Sequence, residues 1–145
     1  MYNRNLKAYK TTSLDAEMAV ADPHRIIQML MQGLLERLAQ SKGAIERRDF
    51  DAKSASISKA MAILNGLQDS LDLSYGQIPQ DLYALYDYMK ERLMDASRDM
   101  DKAPLDEVAN LLITIKSAWD QIPDDEKQKS ELLREQQRAK ASHHE

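Results

Sequence analysis

The chain has 145 residues, of which 43% are hydrophobic and 30% charged, with a formal net charge of -4. This length fits one domain with a modest core, and the acidic balance argues against nucleic-acid binding, which depends on clustered lysine and arginine. The sequence contains no cysteine, which excludes disulfides, thiolate catalysis and cysteine-based metal sites.

No stretch of the sequence is apolar over the length needed to cross a bilayer, because charged residues interrupt every apolar region. The first ten residues also lack the apolar core of a secretory signal. We therefore expect a cytoplasmic protein that does not insert into membranes.

The first predicted helix runs from about Pro23 to Arg47. Asp22 can accept hydrogen bonds from the free amides of the first turn, and proline suits the first helical position because it has no amide hydrogen there. His24, in the first turn, is predicted to be exposed to solvent. The apolar residues that recur at helical spacing are Ile27, Leu30, Leu34, Leu38 and Ile45.

The second predicted helix runs from about Asp51 to Leu71, with Asp49 or Asp51 as its cap. Its apolar face consists of Ile57, Ala60, Leu64, Leu67 and Leu71. After a loop, Pro79 opens a third helix that reaches about Met100. The apolar face of that helix consists of Leu82, Leu85, Met89, Leu93, Ala96 and Met100.

The fourth predicted helix begins at Pro104 and ends before Pro123, whose ring clashes with a preceding helical turn. Asp106 and Glu107 lie in its first turn, where carboxylates complement the helix dipole. Its apolar face consists of Leu105, Val108, Leu112, Ile115, Trp119 and Ile122.

Short connections between helices of about 20 residues favour antiparallel neighbours. The sequence therefore predicts an all-α, antiparallel up-down four-helix bundle, one domain over residues 1–122 that includes an N-terminal arm at about residues 1–21. The arm, with basic residues among Tyr2, Leu6 and Tyr9, is predicted to be mobile or to form a short helix. Residues 123–145 are predicted to be a charged tail, either flexible or a solvated helix.

Catalytic and metal-binding patterns are not found in the sequence. Of the histidines, His143 and His144 lie in the tail and His24 at a helix start, and no Glu-x-x-His motif of a di-iron bundle occurs. Phosphate-binding loops, nucleophile elbows and zincin motifs are also missing from the sequence. We therefore predict a protein that is not an enzyme and has no catalytic residues, metal or cofactor.

Some apolar residues lie beside the predicted core faces rather than on them. For any one of these residues a wide core face is a sufficient explanation, but as a set with two residues of the arm they predict an apolar groove for a partner. The arm could cover this groove when it is empty. The predicted partner-binding residues are Leu6, Tyr9, Ile26, Met29, Ile63, Tyr83, Tyr86, Leu111 and Ala118.

Several short motifs, taken in order, resemble the flagellar export chaperone family FliS. They are Leu6-Lys7-Ala8-Tyr9, Pro23-His24-Arg25-Ile26-Ile27-Gln28-Met29-Leu30 with Gly33, Ser58-Lys59-Ala60, Leu82-Tyr83-Ala84-Leu85-Tyr86-Asp87-Tyr88-Met89 with Arg92-Leu93, and Glu107-Val108 with Ala118-Trp119. The resemblance covers about residues 2 to 122, and the Leu-Tyr-Asp-Tyr-Met run is its most specific part.

The resemblance implies a chaperone that binds the C-terminal segment of flagellin in the cytosol and blocks premature filament polymerisation. It also implies delivery of the subunit to the flagellar type III export gate, without nucleotide or metal. By analogy with the family, Leu6 and Tyr9 lie near the groove. Two alternatives stay open: an adaptor or regulator that binds another helical partner, such as an anti-sigma factor or a co-chaperone, and a structural homodimer.

Overall fold

The computed structural model describes residues 22–122, which form four α-helices and one short 3-10 helix. The helices are α1 (Pro23–Glu46), α2 (Phe50–Asp69), α3 (Gln77–Asp99) and α4 (Ala103–Asp120), and the 3-10 helix spans Leu73–Tyr75 between α2 and α3. All four predicted helices are present, with ends shifted by no more than a few residues. The predicted arm and tail lie outside the described residues.

Aspartate caps begin the first two helices. The Arg25 amide donates to Asp22 Oδ1 at 2.7 Å, as predicted for α1. The Ala52 amide donates to Asp49 Oδ1 at 3.0 Å, so Asp49 rather than Asp51 caps α2. Each carboxylate satisfies an amide that has no partner within its helix.

The start of α3 differs from the prediction. The helix begins at Gln77 rather than Pro79, because Gly76 turns the chain into the helix with a φ of 100°, in the region that favours glycine. Pro79 then occupies the third helical position. An amide hydrogen at this position would have no partner within the helix, so its absence removes no helical hydrogen bond. Proline is therefore compatible with the first turn and does not have to open it.

The helices pack as a closed four-membered bundle in which each helix contacts its two antiparallel neighbours. Ser41 in α1 donates to Ser56 in α2 at 2.8 Å, and Gln68 in α2 donates to Asp87 in α3 at 2.7 Å. Lys42 in α1 forms an ion pair of 2.9 Å with Asp106 in α4, which joins the first helix to the last. The described residues therefore confirm the predicted all-α four-helix bundle.

The core lies along the bundle axis and uses the predicted apolar faces. Its buried residues include Leu34, Leu38, Ile57, Ala60, Leu64, Leu67, Met89, Leu93, Ala96, Leu105, Val108 and Leu112. Met31 is also buried, at 1% exposure, although its position lay outside the predicted face of α1. Trp119 and Ile115 pack against this core while remaining partly accessible.

His24 is a correction to the prediction of a solvent-exposed residue, since only 5% of its surface is accessible. Its ring stacks on Trp119 with centroids 4.8 Å apart and planes 9° from parallel. His24 Nε2 donates to the Trp119 carbonyl at 2.8 Å, and Trp119 Nε1 donates to the His24 carbonyl at 3.1 Å. This reciprocal contact, the His24–Trp119 pair, joins the start of α1 to the end of α4.

Tyr86 is a second correction, because it lies in the core at 2% exposure and not beside it. It precedes Met89 by three residues and Leu93 by seven, which is the spacing of a single helix face. Burial raises the pKa of Tyr86 to about 12, because apolar surroundings disfavour the charged phenolate.

Alkaline conditions should therefore destabilise the bundle through Tyr86. Above pH 10 the unfolded chain releases this proton while the folded chain holds it, so the free energy of unfolding decreases as pH rises from 10 towards 12. We expect a loss of about 1.4 kcal/mol at about pH 11, measured by urea denaturation. Tyr86→Phe, which cannot ionise, should remove this part of the pH dependence, and an equally steep profile in the variant would contradict the assignment.

Candidate binding surface

The polar side chains of the described residues are mostly paired with one another. Gln68 donates to Asp87, which lowers the pKa of Asp87, and nearby Lys90 adds to the effect. Lys116 similarly lowers the pKa of Asp120 through a hydrogen bond of 2.7 Å. Within residues 22–122 no group of three or more histidine, aspartate or glutamate side chains could hold a metal ion. The apolar side chains are the remaining candidates for a binding site in this part of the chain.

Accessible apolar side chains lie along three edges of the bundle, where an edge is the outer surface between two neighbouring helices. The first edge lies between α1 and α2. Ile26 and Met29 are half-buried on α1, and neither belongs to the residues packed against the core. Gly33 follows Ile26 by seven residues on the same side of the helix. A Cβ atom at Gly33 would lie 3.6 Å from Ile63 Cδ1, so the side chain of Ile63 lies against α1 at Gly33. These residues form the α1/α2 edge, along which Met29 and Ile26 lie about one and two helical turns from the contact of Ile63 with α1.

A second edge lies between α3 and α4. Tyr88 in α3 donates its hydroxyl to Glu107 in α4, and this hydrogen bond raises the pKa of Tyr88. Leu111 and Ala118 follow Glu107 by four and eleven residues, so they continue along the same side of α4. Leu111 is half-buried and Ala118 exposed. The α3/α4 edge thus has a hydrogen-bonded polar pair at Tyr88 and Glu107 and apolar side chains further along α4.

The third edge lies between α2 and α3 and contains Tyr83. The side chain of Tyr83 is 38% exposed, while its backbone carbonyl accepts a hydrogen bond of 3.0 Å from Gln68. Met94 follows Tyr83 by eleven residues on the same side of α3 and is 55% exposed. Apolar surface therefore lies towards both ends of this edge, with Asp87 and Lys90 between them.

The predicted set is therefore divided among three edges and does not line a single groove. Ile26, Met29 and Ile63 lie together, Leu111 and Ala118 lie together, and Tyr83 lies apart from both groups. Tyr86 belongs to the core, and Leu6 and Tyr9 lie outside the described residues.

Sequence reasoning missed several exposed apolar side chains. Besides Tyr88 and Met94 they are Phe50 (54% exposed), Leu73 (43%), Tyr75 (40%), Ile78 (75%) and Ile113 (52%). A helical projection could have found Met94 and Ile113, since both fall off the core faces of their helices. Leu73 and Ile78 could have been found from their sequence neighbours, because each is an apolar residue with polar or turn-forming residues on both sides.

The sequence of the chain is similar to a family of flagellar proteins. The model of the family described as Flagellar protein FliS matches residues 5–126. The flagellar secretion chaperone FliSB of Pseudomonas aeruginosa is 46% identical over 118 residues, which cover 81% of this chain and 94% of the relative. The flagellar secretion chaperone FliS of Vibrio cholerae is 40% identical over 120 residues, which cover 82% of this chain and 88% of the relative.

A further relative, the flagellar secretion chaperone FliS of Salmonella typhimurium, is 39% identical over 119 residues, covering 81% of this chain and 88% of the relative. Among the helices of residues 22–122, none combines the length and the hydropathy of a membrane span. The matches identify a secretion chaperone and thereby imply a protein that is not an enzyme. With a family match over most of its length, the chain belongs to the FliS family of flagellar secretion chaperones.

Proposed function

We propose that this chain binds the C-terminal segment of flagellin in the cytosol and keeps the subunit from polymerising before export. In the same proposal, the chain delivers flagellin to the flagellar type III export apparatus. The family supports a flagellar secretion client. The apolar surface of the bundle supports a client that is an extended polypeptide.

The distribution of accessible apolar residues over three edges is the observation that carries this proposal. A single partner helix lies in one groove and covers one edge. Ile26 on the α1/α2 edge, Tyr83 on the α2/α3 edge and Ala118 on the α3/α4 edge would each need a separate contact. A long segment that passes around the bundle can make all of these contacts in sequence, which favours an unfolded client over a compact one.

The energetics of binding lead to the same class of client. A disordered segment loses conformational entropy when it becomes ordered, so it needs a large apolar contact area to bind tightly. The shorter helices along the three edges, α2 and α4, have 20 and 18 residues, so each edge is about 27–30 Å long at 1.5 Å per residue. Edges of this length can order several helical turns of a client.

Calorimetric titration with a flagellin C-terminal peptide of about 40 to 50 residues tests the proposal, since coupled folding buries a large apolar area. We expect saturable binding, a negative heat-capacity change and an increase in helicity by circular dichroism. A control peptide of the same composition in scrambled order should not bind. Absence of binding by the flagellin peptide would instead favour an adaptor for another helical partner or self-association.

The N-terminal arm provides a further prediction about the client site. We expect Leu6→Ala combined with Tyr9→Ala to change the affinity for the flagellin peptide without changing the free energy of unfolding, because both residues precede the described bundle. Calorimetry measures the first quantity and urea denaturation the second. Lys7→Ala with Lys10→Ala, in the same arm, is the matched polar control. Unchanged affinity in the apolar pair would remove the arm from the client site.

A further inference from the structure

One end of the bundle exposes apolar side chains that the core does not use. Leu73, Tyr75 and Ile78 are 43%, 40% and 75% exposed, and all three lie in or next to the connection between α2 and α3. We call these three residues the loop-end patch. Removing such side chains from water is favourable in proportion to the apolar area that becomes buried, so the patch can contribute substantially to binding.

The sequence around the loop-end patch is acidic without any compensating base. Residues 60–86 contain no lysine, arginine or histidine, while Asp69, Asp72 and Asp81 fall within them. Asp69, Asp72 and Asp81 are exposed and lie close in sequence to the patch. A segment that covers the patch should therefore combine apolar side chains with an excess of positive charge.

The charged C-terminal tail begins at this same end of the bundle. The His24–Trp119 pair places the end of α4 beside the start of α1. Because α1 and α2 are antiparallel, the end of α2 and the loop-end patch also lie beside the start of α1. Neighbouring helix axes in a bundle are about 8–10 Å apart, whereas ten residues span about 15 Å even when helical. The tail can therefore reach the patch easily.

One segment of the tail, unlike the tail as a whole, has the basic and apolar composition that the patch requires. Residues 127–140 contain five basic and two acidic residues, and the tail's two leucines, Leu132 and Leu133, lie among them. This segment follows the family match, which ends at residue 126, and the proposed client site makes no use of it. The N-terminal arm starts from the same end, but its apolar residues Leu6 and Tyr9 are assigned to the client site.

We propose that residues 127–140 dock on the loop-end patch of their own chain. Leu132 and Leu133 contact Leu73 and Ile78, and the basic residues lie over the surrounding carboxylates. The docked tail shields the exposed apolar end of the bundle from other molecules. This interaction is independent of flagellin and can be tested on the full chain alone.

Disulfide trapping gives a direct test, because the natural chain contains no cysteine. The test variant combines Gln77→Cys, at an exposed position beside Ile78, with Ser130→Cys near the leucines of the tail. The rate of disulfide formation in this variant is compared with the rate in the same cysteine pair carrying Leu132→Ser and Leu133→Ser, in which the tail should not dock. We expect the intramolecular disulfide to form about tenfold faster with the leucines present, a ratio that corresponds to ~1.4 kcal/mol.

A second cysteine position controls for simple proximity. Ser117 is exposed in the last turn of α4, at the same end of the bundle, and Ser117→Cys paired with Ser130→Cys should form its disulfide at a rate that the leucine substitutions do not lower. Circular dichroism of each variant checks that the bundle is intact. Loss of the leucine effect at Gln77→Cys would show a tail that does not dock and would overturn the proposal.

The remaining outcomes identify a different occupant and also overturn the proposal. Disulfide-linked dimers whose yield rises with protein concentration would show that a second copy covers the patch. A fast disulfide between Gln77→Cys and Ser13→Cys, with no leucine effect in the tail pair, would show that the N-terminal arm covers it. Mass spectrometry after alkylation of free thiols distinguishes these products.

Discussion

We expect Trp119→Ala to lower the free energy of unfolding by about 3 kcal/mol, at the lower end of the range for large aromatic residues lost from a core. Trp119 is only partly buried, which limits the apolar contribution. Its loss also removes the stacked partner of His24 and the hydrogen bond from Nε1 to the His24 carbonyl. The buried ring of His24 would then face the space that the indole leaves.

Urea denaturation followed by circular dichroism measures this effect, since Trp119 is the only tryptophan and its fluorescence is lost in the variant. Trp119→Phe keeps an aromatic ring against His24 but removes the Nε1 donor, so we expect a smaller loss of about 1 kcal/mol. Ser117→Ala, at an exposed neighbouring position, should change stability by less than about 0.5 kcal/mol. A denaturation midpoint in Trp119→Ala equal to that of the natural chain would contradict a structural role for the pair.

The helices were predictable because their signals are local. An aspartate cap with a following proline marks α1, and leucines three and four residues apart mark the core face of α2. These features depend on the geometry of one helix and need no knowledge of its neighbours. The shift of the α3 start to Gln77 shows the limit, because Gly76 and Pro79 are each compatible with more than one boundary.

His24 shows where local signals fail. It has the sequence context of an exposed first-turn residue, and its burial depends on Trp119, which is 95 residues away. Tyr86 differs, because its spacing of three and seven residues to Met89 and Leu93 is a local signal that places it on the core face of α3. The sequence could identify apolar residues beside the main faces, but their division among three edges depends on how the four helices are rotated about their axes.

The α1/α2 edge allows the client site to be tested separately from the core. We expect Ile26→Gln combined with Met29→Gln to weaken binding of the flagellin C-terminal peptide by about 100-fold, or ~2.7 kcal/mol, through loss of apolar contact. Neither residue is packed against the core, unlike Ile63 on the same edge. Glutamine also has a good helix propensity, so α1 should remain intact.

Ile113→Gln is the matched control for this pair, because Ile113 is 52% exposed on α4 and follows Asp106 by seven residues on the side that faces α1. It therefore lies on none of the three edges assigned to the client. We expect calorimetry to give it an affinity close to that of the natural chain. Equal weakening by Ile113→Gln and by the α1 pair would indicate general apolar adhesion, whereas full affinity in the α1 pair would place the client on the other two edges. Selective loss in the α1 pair, with an unchanged unfolding free energy, would mean that flagellin contacts the edge beside Ile63.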